Sequence, residues 1–179
     1  MSPQEPHGDL GGEAAHWSAY LDFHRAELAA GVLALPEEER RTPRVPSGWT
    51  PLELLSHVMH MERRWFVWGF LGEDVVAPWG DWSVDGDPWE LPDDPSVRWR
   101  VPEGVTAEDL AARLDEVGAR TRSVLAGSAL EAIAAPGPRF PEGDPPTLRW
   151  ICFHVLQEYA RHAGHLDVVR ELADGSTGE

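Results

Sequence analysis

TLRWICFHVLQEYARHAGHLDVVRELA, residues 147–173, carries a three- and four-residue repeat through Ile151, Val155, Glu158, His162, Leu166 and Val169. At 3.6 residues per turn these positions share one face, which predicts an amphipathic helix from near Thr147 to near Ala173, stopped before Gly175. Two positions of this stripe, Glu158 and His162, are ionisable. Four residues apart, they sit about 40° apart around the axis, so both donors can converge on one ion. A carboxylate in an apolar stripe is costly unless it is paired or coordinates a metal.

Three further segments read as helices. The first, from about Glu13 to Leu35, has Trp17, Tyr20, Leu21, His24, Leu28, Val32 and Leu35 in its stripe and ends at Pro36. The second opens at Thr50-Pro51-Leu52-Glu53, a capping box with proline at the first helical position. It runs to about Leu71, with Leu54, Val58, Met61, Trp65 and Trp68 inward and Gly72 as the stop. The third starts at Thr106, with Glu108 and Asp109 in its first turn, and runs to about Ala126 through Leu110, Leu114, Val117, Thr121, Val124 and Leu125. Between the second and third lies an acidic, proline-rich stretch, residues 73–104, with Trp79, Trp82, Trp89 and Trp99. That many tryptophans argue for an ordered loop, with room for a short hairpin. The pattern is an all-α four-helix bundle with a long Trp-rich loop between helices two and three. One domain over residues 13–174 is expected, between a disordered tail at 1–12 and a frayed one at 175–179.

Composition narrows the function classes. The net charge is −16, and all 15 basic residues are arginine. An acidic surface repels phosphate backbones and anionic lipid, which disfavours nucleic acid and membrane partners. The polar start and the absence of a long apolar run predict a cytoplasmic protein. The lone Cys152, among Trp150, Ile151 and Phe153, reads as a small buried hydrophobe rather than a nucleophile. No heptad seam decides between monomer and homodimer. A phosphate loop, a nucleophile elbow and paired cysteines are all missing from the sequence.

Helix two offers a third donor to Glu158 and His162: His57, between Leu54, Val58 and Met61, at the edge of the inward face. Two imidazoles and a carboxylate with open positions suit catalytic zinc and other divalent metals. A buried Glu–His ion pair without metal would satisfy the same spacing. Among the neighbours, His165 is the candidate catalytic group, with a hydrogen-bonding partner behind a ligand, a substrate contact and a replacement ligand as its other readings. His154 reads as a packed histidine, and His24 as either core or pocket wall. Glu62 and Arg63 read as structural pairs with Arg161 or Asp167; His60, Glu53 and Arg64 read as solvated.

The stretches PSGWTPLELLSH (46–57), LLSHVMHMERRWF (54–66) and HVLQEYARHAGHLDVVRE (154–171) resemble the DinB-like superfamily. They are most similar to its actinobacterial branch, related to mycothiol-dependent transferases and maleylpyruvate isomerase. The resemblance covers all four helices, and the Trp-rich loop is its least typical part. It implies a divalent metal, zinc before nickel or manganese, held by His57, Glu158 and His162. Many relatives carry histidine where this chain has Glu158; the isomerase-like branch is similar in having glutamate there. It further implies a low-molecular-weight thiol as co-substrate and a small electrophile as substrate, hence a metal-dependent thiol S-transferase or isomerase. The alternatives are a metal-dependent hydrolase on the same residues, with His165 as base, and a non-enzymatic metal-binding stress-response protein.

Overall fold

The structure, a computed structural model of the protein, describes residues 3–91, 93–140 and 143–177. The expected tails therefore fall partly outside the described residues, at 1–2 and 178–179. Its helices are α1 (Glu13–Ala34), the single turn α2 (Glu37–Arg40), α3 (Pro51–Arg63), α4 (Ala107–Gly127) and α5 (Leu148–Asp174), and no strand is present among the described residues. The all-α bundle expected from the periodicities is the fold observed. Both α1 and α3 pack against both α4 and α5. So α1 and α3 occupy one diagonal of the bundle, α4 and α5 the other. No described helix is long and apolar enough to cross a membrane.

Local chemistry sets the helix ends. Glu53 N–H donates to Thr50 Oγ1 at 3.2 Å while Thr50 N–H donates to Glu53 Oε2 at 2.8 Å, completing the box at α3. Thr106 and Asp109 repeat it at α4, at 3.1 and 3.0 Å. At α5, Trp150 N–H donates to Thr147 Oγ1, and Gly175 closes the helix at φ 78, a left-handed conformation that glycine adopts without a Cβ clash.

The second long helix does not keep one pitch to Leu71. After Arg63 it widens into a π-helical segment, Arg64–Phe70, in which Leu71 N–H reaches back five residues to Phe66 O at 3.1 Å. The extra residue per turn rotates the following side chains. Phe66, Val67 and Phe70 become buried, whereas Trp65 and Trp68 are half-buried. Arg64, expected in solvent, is turned inward and is only 4% exposed.

One carboxylate ties the four long helices together. Glu62 of α3 is fully buried and accepts from Arg25 of α1 at 2.6 Å, from Thr121 of α4 and from Tyr159 of α5. This corrects the expected pairing of Glu62 with Arg161 or Asp167: Arg161 instead pairs with Glu158. It also corrects the α5 stripe. Tyr159 takes the buried position, and Glu158, one residue earlier, stands at the edge of the core.

In the Trp-rich loop, Asp81–Ser83 runs antiparallel to Arg98–Arg100. Ser83 N–H donates to Arg98 O at 2.9 Å and Arg100 N–H to Asp81 O at 2.8 Å, about a bridge between Trp82 and Trp99. This is the short hairpin for which the sequence left room, and it lays the two indoles over the junction of α3 and α5.

Candidate metal centre

α3 and α5 bring His57, Glu158 and His162 together. One donor atom from each lies within 4.8 Å of the other two. Ligands near 2.1 Å from a tetrahedral ion sit roughly 3.4 Å apart, so side-chain adjustments of about an ångström would close the set. His57 and His162 are buried, while Glu158 is half-buried at the rim.

The surroundings of His57 prepare it as a ligand. Its Nδ1 is 2.9 Å from Asp81 Oδ2. Asp81 is fully buried and takes both arms of Arg64, at 2.5 and 3.0 Å. Arg64 in turn donates to Pro78 O at 2.8 Å and lies over the Trp79 ring. Nδ1–H donation to a carboxylate leaves the Nε2 lone pair of His57 for an ion, the arrangement by which protein sites fix the tautomer of a metal-bound imidazole. Burial lowers the His57 pKa to about 4, against the opposing pull of Asp81, so the ring is neutral at pH 7. Burial works against ionisation of Asp81 too, but the His57 hydrogen bond and the Arg64 charge hold its carboxyl below the usual range.

On α5, His162 Nε2 is 3.4 Å from Glu158 Oε2, and His162 Nδ1 is buried without a hydrogen-bond partner. His162 and the Arg161 charge keep Glu158 ionised, its pKa lowered chiefly by the hydrogen bond to His162. Two nitrogens with spare lone pairs and an ionised carboxylate fit a divalent ion of borderline softness. Cys152 contributes nothing here: it is buried in the core, and burial pushes its thiol up to about 12.

Indoles enclose the cluster. Trp99 stacks on His57 at 4.1 Å between ring centres and meets His162 edge-on at 5.5 Å. Trp82 meets His57 edge-on, and a cavity of about 330 Å³ beside these rings is lined by Trp49, Trp82 and Trp99.

The other histidines separate by position. His165 is exposed, 5.6 Å from His162 and 6.2 Å from Trp49 between ring centres. His154 is packed between Trp65 and Trp150. His24 pairs with Glu27 and lies over Tyr159, away from the donor cluster. His60, expected in solvent, is half-buried with Nδ1 bonded to Ser56 O, because the loop folds over that face of α3. Glu53, also expected in solvent, is half-buried by its role in the α3 cap.

Sequence reasoning missed Asp81 and Arg64, whereas the Trp-rich loop that contributes Trp99 was expected to cover the site. No periodicity links a loop aspartate to a helical histidine 24 positions earlier. The signal that existed was the tryptophan density of the loop.

A search among curated proteins returned no match. The sequence model of a family described as Mycothiol-S-transferase matches residues 16–175, which takes in nearly all of α1 and the whole of α3, α4 and the π-helical segment, with α5 through its terminal glycine. Both helices that carry the three donors lie inside that match, and the chain belongs to the mycothiol-S-transferase family.

Proposed function

We propose that the protein is a metal-dependent thiol S-transferase that joins mycothiol, or a comparable low-molecular-weight thiol, to a small electrophile. The observation that carries this reading is the convergence of His57, Glu158 and His162 within 4.8 Å in a chain of this family. These three side chains would hold one divalent ion, zinc before nickel or manganese. When bound, such an ion lowers the pKa of a thiol sulfur so that thiolate is present at neutral pH.

The chain's own residues do the rest. Asp81, anchored by Arg64, holds the His57 ring in one orientation. Trp82 and Trp99 keep water from the buried side of the cluster, and the cavity they share with Trp49, which is not lined by any of the three donors, would take a flat electrophile beside the metal centre. His165, at the exposed rim with its ring centre 5.6 Å from that of His162, would take the thiol proton.

The test is elemental analysis of protein purified without chelator, alongside conjugation of mycothiol to 1-chloro-2,4-dinitrobenzene. We expect about one equivalent of a divalent metal, lost in His57→Ala and His162→Ala, and conjugation that stops on chelation and returns with metal. Undiminished conjugation in chelated protein would refute the reading. Metal-dependent hydrolysis without any thiol requirement would replace it by the hydrolase.

A further inference from the structure

A second cavity, with a largely apolar wall that includes Met59, Leu110 and Val117 and a few polar groups, lies about 100° around α3 from His57. Ser56, His60 and Arg63 occupy one face of the helix, at i, i+4 and i+7. They line a space of about 500 Å³ with Arg113 and Glu116 of α4, roofed by Val76, Ala77 and Gly80.

The charge of this cavity runs against that of the molecule. The chain has 31 acidic residues and 15 arginines, and most of its arginines have a carboxylate partner. Among the described residues, neither Arg63 nor Arg113 forms an ion pair, although they face the same space. Glu116 is the one acidic group lining it, and its carboxylate is not within ion-pair distance of either. Arg63 spends one terminal nitrogen on Val76 O and Ala77 O, both at 3.0 Å, and its Nε is buried without a partner. Ser56 is 1% exposed, and its hydroxyl has no partner either. The free-energy cost at this cavity rests on the two buried donors without partners, Arg63 Nε and the Ser56 hydroxyl, which an incoming acceptor of negative charge would satisfy; Arg113 is exposed and adds a solvated positive charge at the mouth.

We propose that this cavity binds a small oxyanion, with Arg63 and Arg113 supplying the charge and Ser56 a neutral donor. The site is separate from the metal centre, but the two share a roof: the segment 76–80 leads directly into Asp81, which holds His57. An anion bound to Arg63 and Arg113 would brace that segment from the side opposite Arg64.

The experiment is titration of inorganic phosphate and, separately, acetate at constant ionic strength. Binding is followed by calorimetry and by backbone amide NMR, on protein as purified and after chelation. We expect saturable binding of at least one anion with a Kd of about 1 mM or tighter, unchanged by chelation. Shifts should centre on Ser56, Ala77, Gly80 and Arg113. Arg113→Gln should weaken binding about tenfold, the effect of losing one charge-assisted hydrogen bond. Arg122→Gln removes the same charge from α4 at a residue paired with Asp22, and should leave the affinity unchanged. Preference for phosphate over acetate identifies a phosphoryl ligand, and the reverse a carboxylate. Saturation by neither anion, equal weakening by the two variants, or loss of binding on chelation would overturn the proposal.

Discussion

His57 keeps one nitrogen free because Asp81 engages the other, and Asp81 is itself held by Arg64 and by burial. Asp81→Asn retains the shape and removes the charge. Metal affinity should fall by about 10- to 100-fold, the usual cost of losing a partner behind a ligating histidine. Competition titration against a chromophoric chelator measures this on the folded protein. A purely structural role for Asp81 would lower the melting temperature and leave that affinity intact. Cys152 supports a prediction of different kind. Burial raises its thiol to about 12, whereas an unfolded thiol titrates near ~8.5. Its contribution to stability is therefore whole below ~8.5 and is lost as pH rises from there toward about 12, because the unfolded chain releases the proton first. Thermal unfolding between pH 8 and 10.5 should show a steeper fall for the native protein than for Cys152→Ala.

At the scale of the element, what is legible in sequence is what is decided locally. The boxes at Thr50/Glu53 and Thr106/Asp109 and the stop at Gly175 involve neighbours in the chain, and each forms as the residue order requires. The pairing of His57 with Glu158 and His162 was also legible, because a bundle brings inward faces together and only a few ionisable residues lie on them. The π-helical turn was not. What favours it is tertiary: Arg64 must enter the core to reach Asp81, Pro78 O and the Trp79 ring, all in a loop whose course no helical period describes. Tyr159 was missed for a related reason. Its hydroxyl is acceptable in the core only because Glu62 waits on another helix. Thr50→Ala tests the local part: loss of the cap should cost about 1 kcal/mol in chemical denaturation. Amide exchange in the first turn of α3, ahead of His57, should speed up by more than the small increase that the lower global stability gives to the most protected amides of α4.

For the whole molecule, the polar tie at Glu62 carries a specific cost and a specific use. Its carboxylate is the common acceptor for Arg25, Thr121 and Tyr159, so the relative placement of all four long helices converges on one residue. Glu62→Ala leaves Arg25 buried with only the half-exposed Asp22 as counter-charge, and should destabilise the fold by about 3–5 kcal/mol. That is a large share of the ~5–15 kcal/mol by which a typical domain is stable. Replacing the pair as a unit, Arg25→Met with Glu62→Leu, should recover only part of the loss: well-packed apolar residues often match a buried ion pair, but the buried hydroxyls of Thr121 and Tyr159 lose their acceptor. Gly118 separates the two consequences. A Cβ there would lie 2.6 Å from Arg25 Nε, so Gly118→Ala is disruptive while the arginine is present. It should become tolerable in the Arg25→Met/Glu62→Leu background. If Gly118→Ala costs the same in both backgrounds by urea denaturation, the close approach of α1 to α4 is set by the backbone and not by the ion pair.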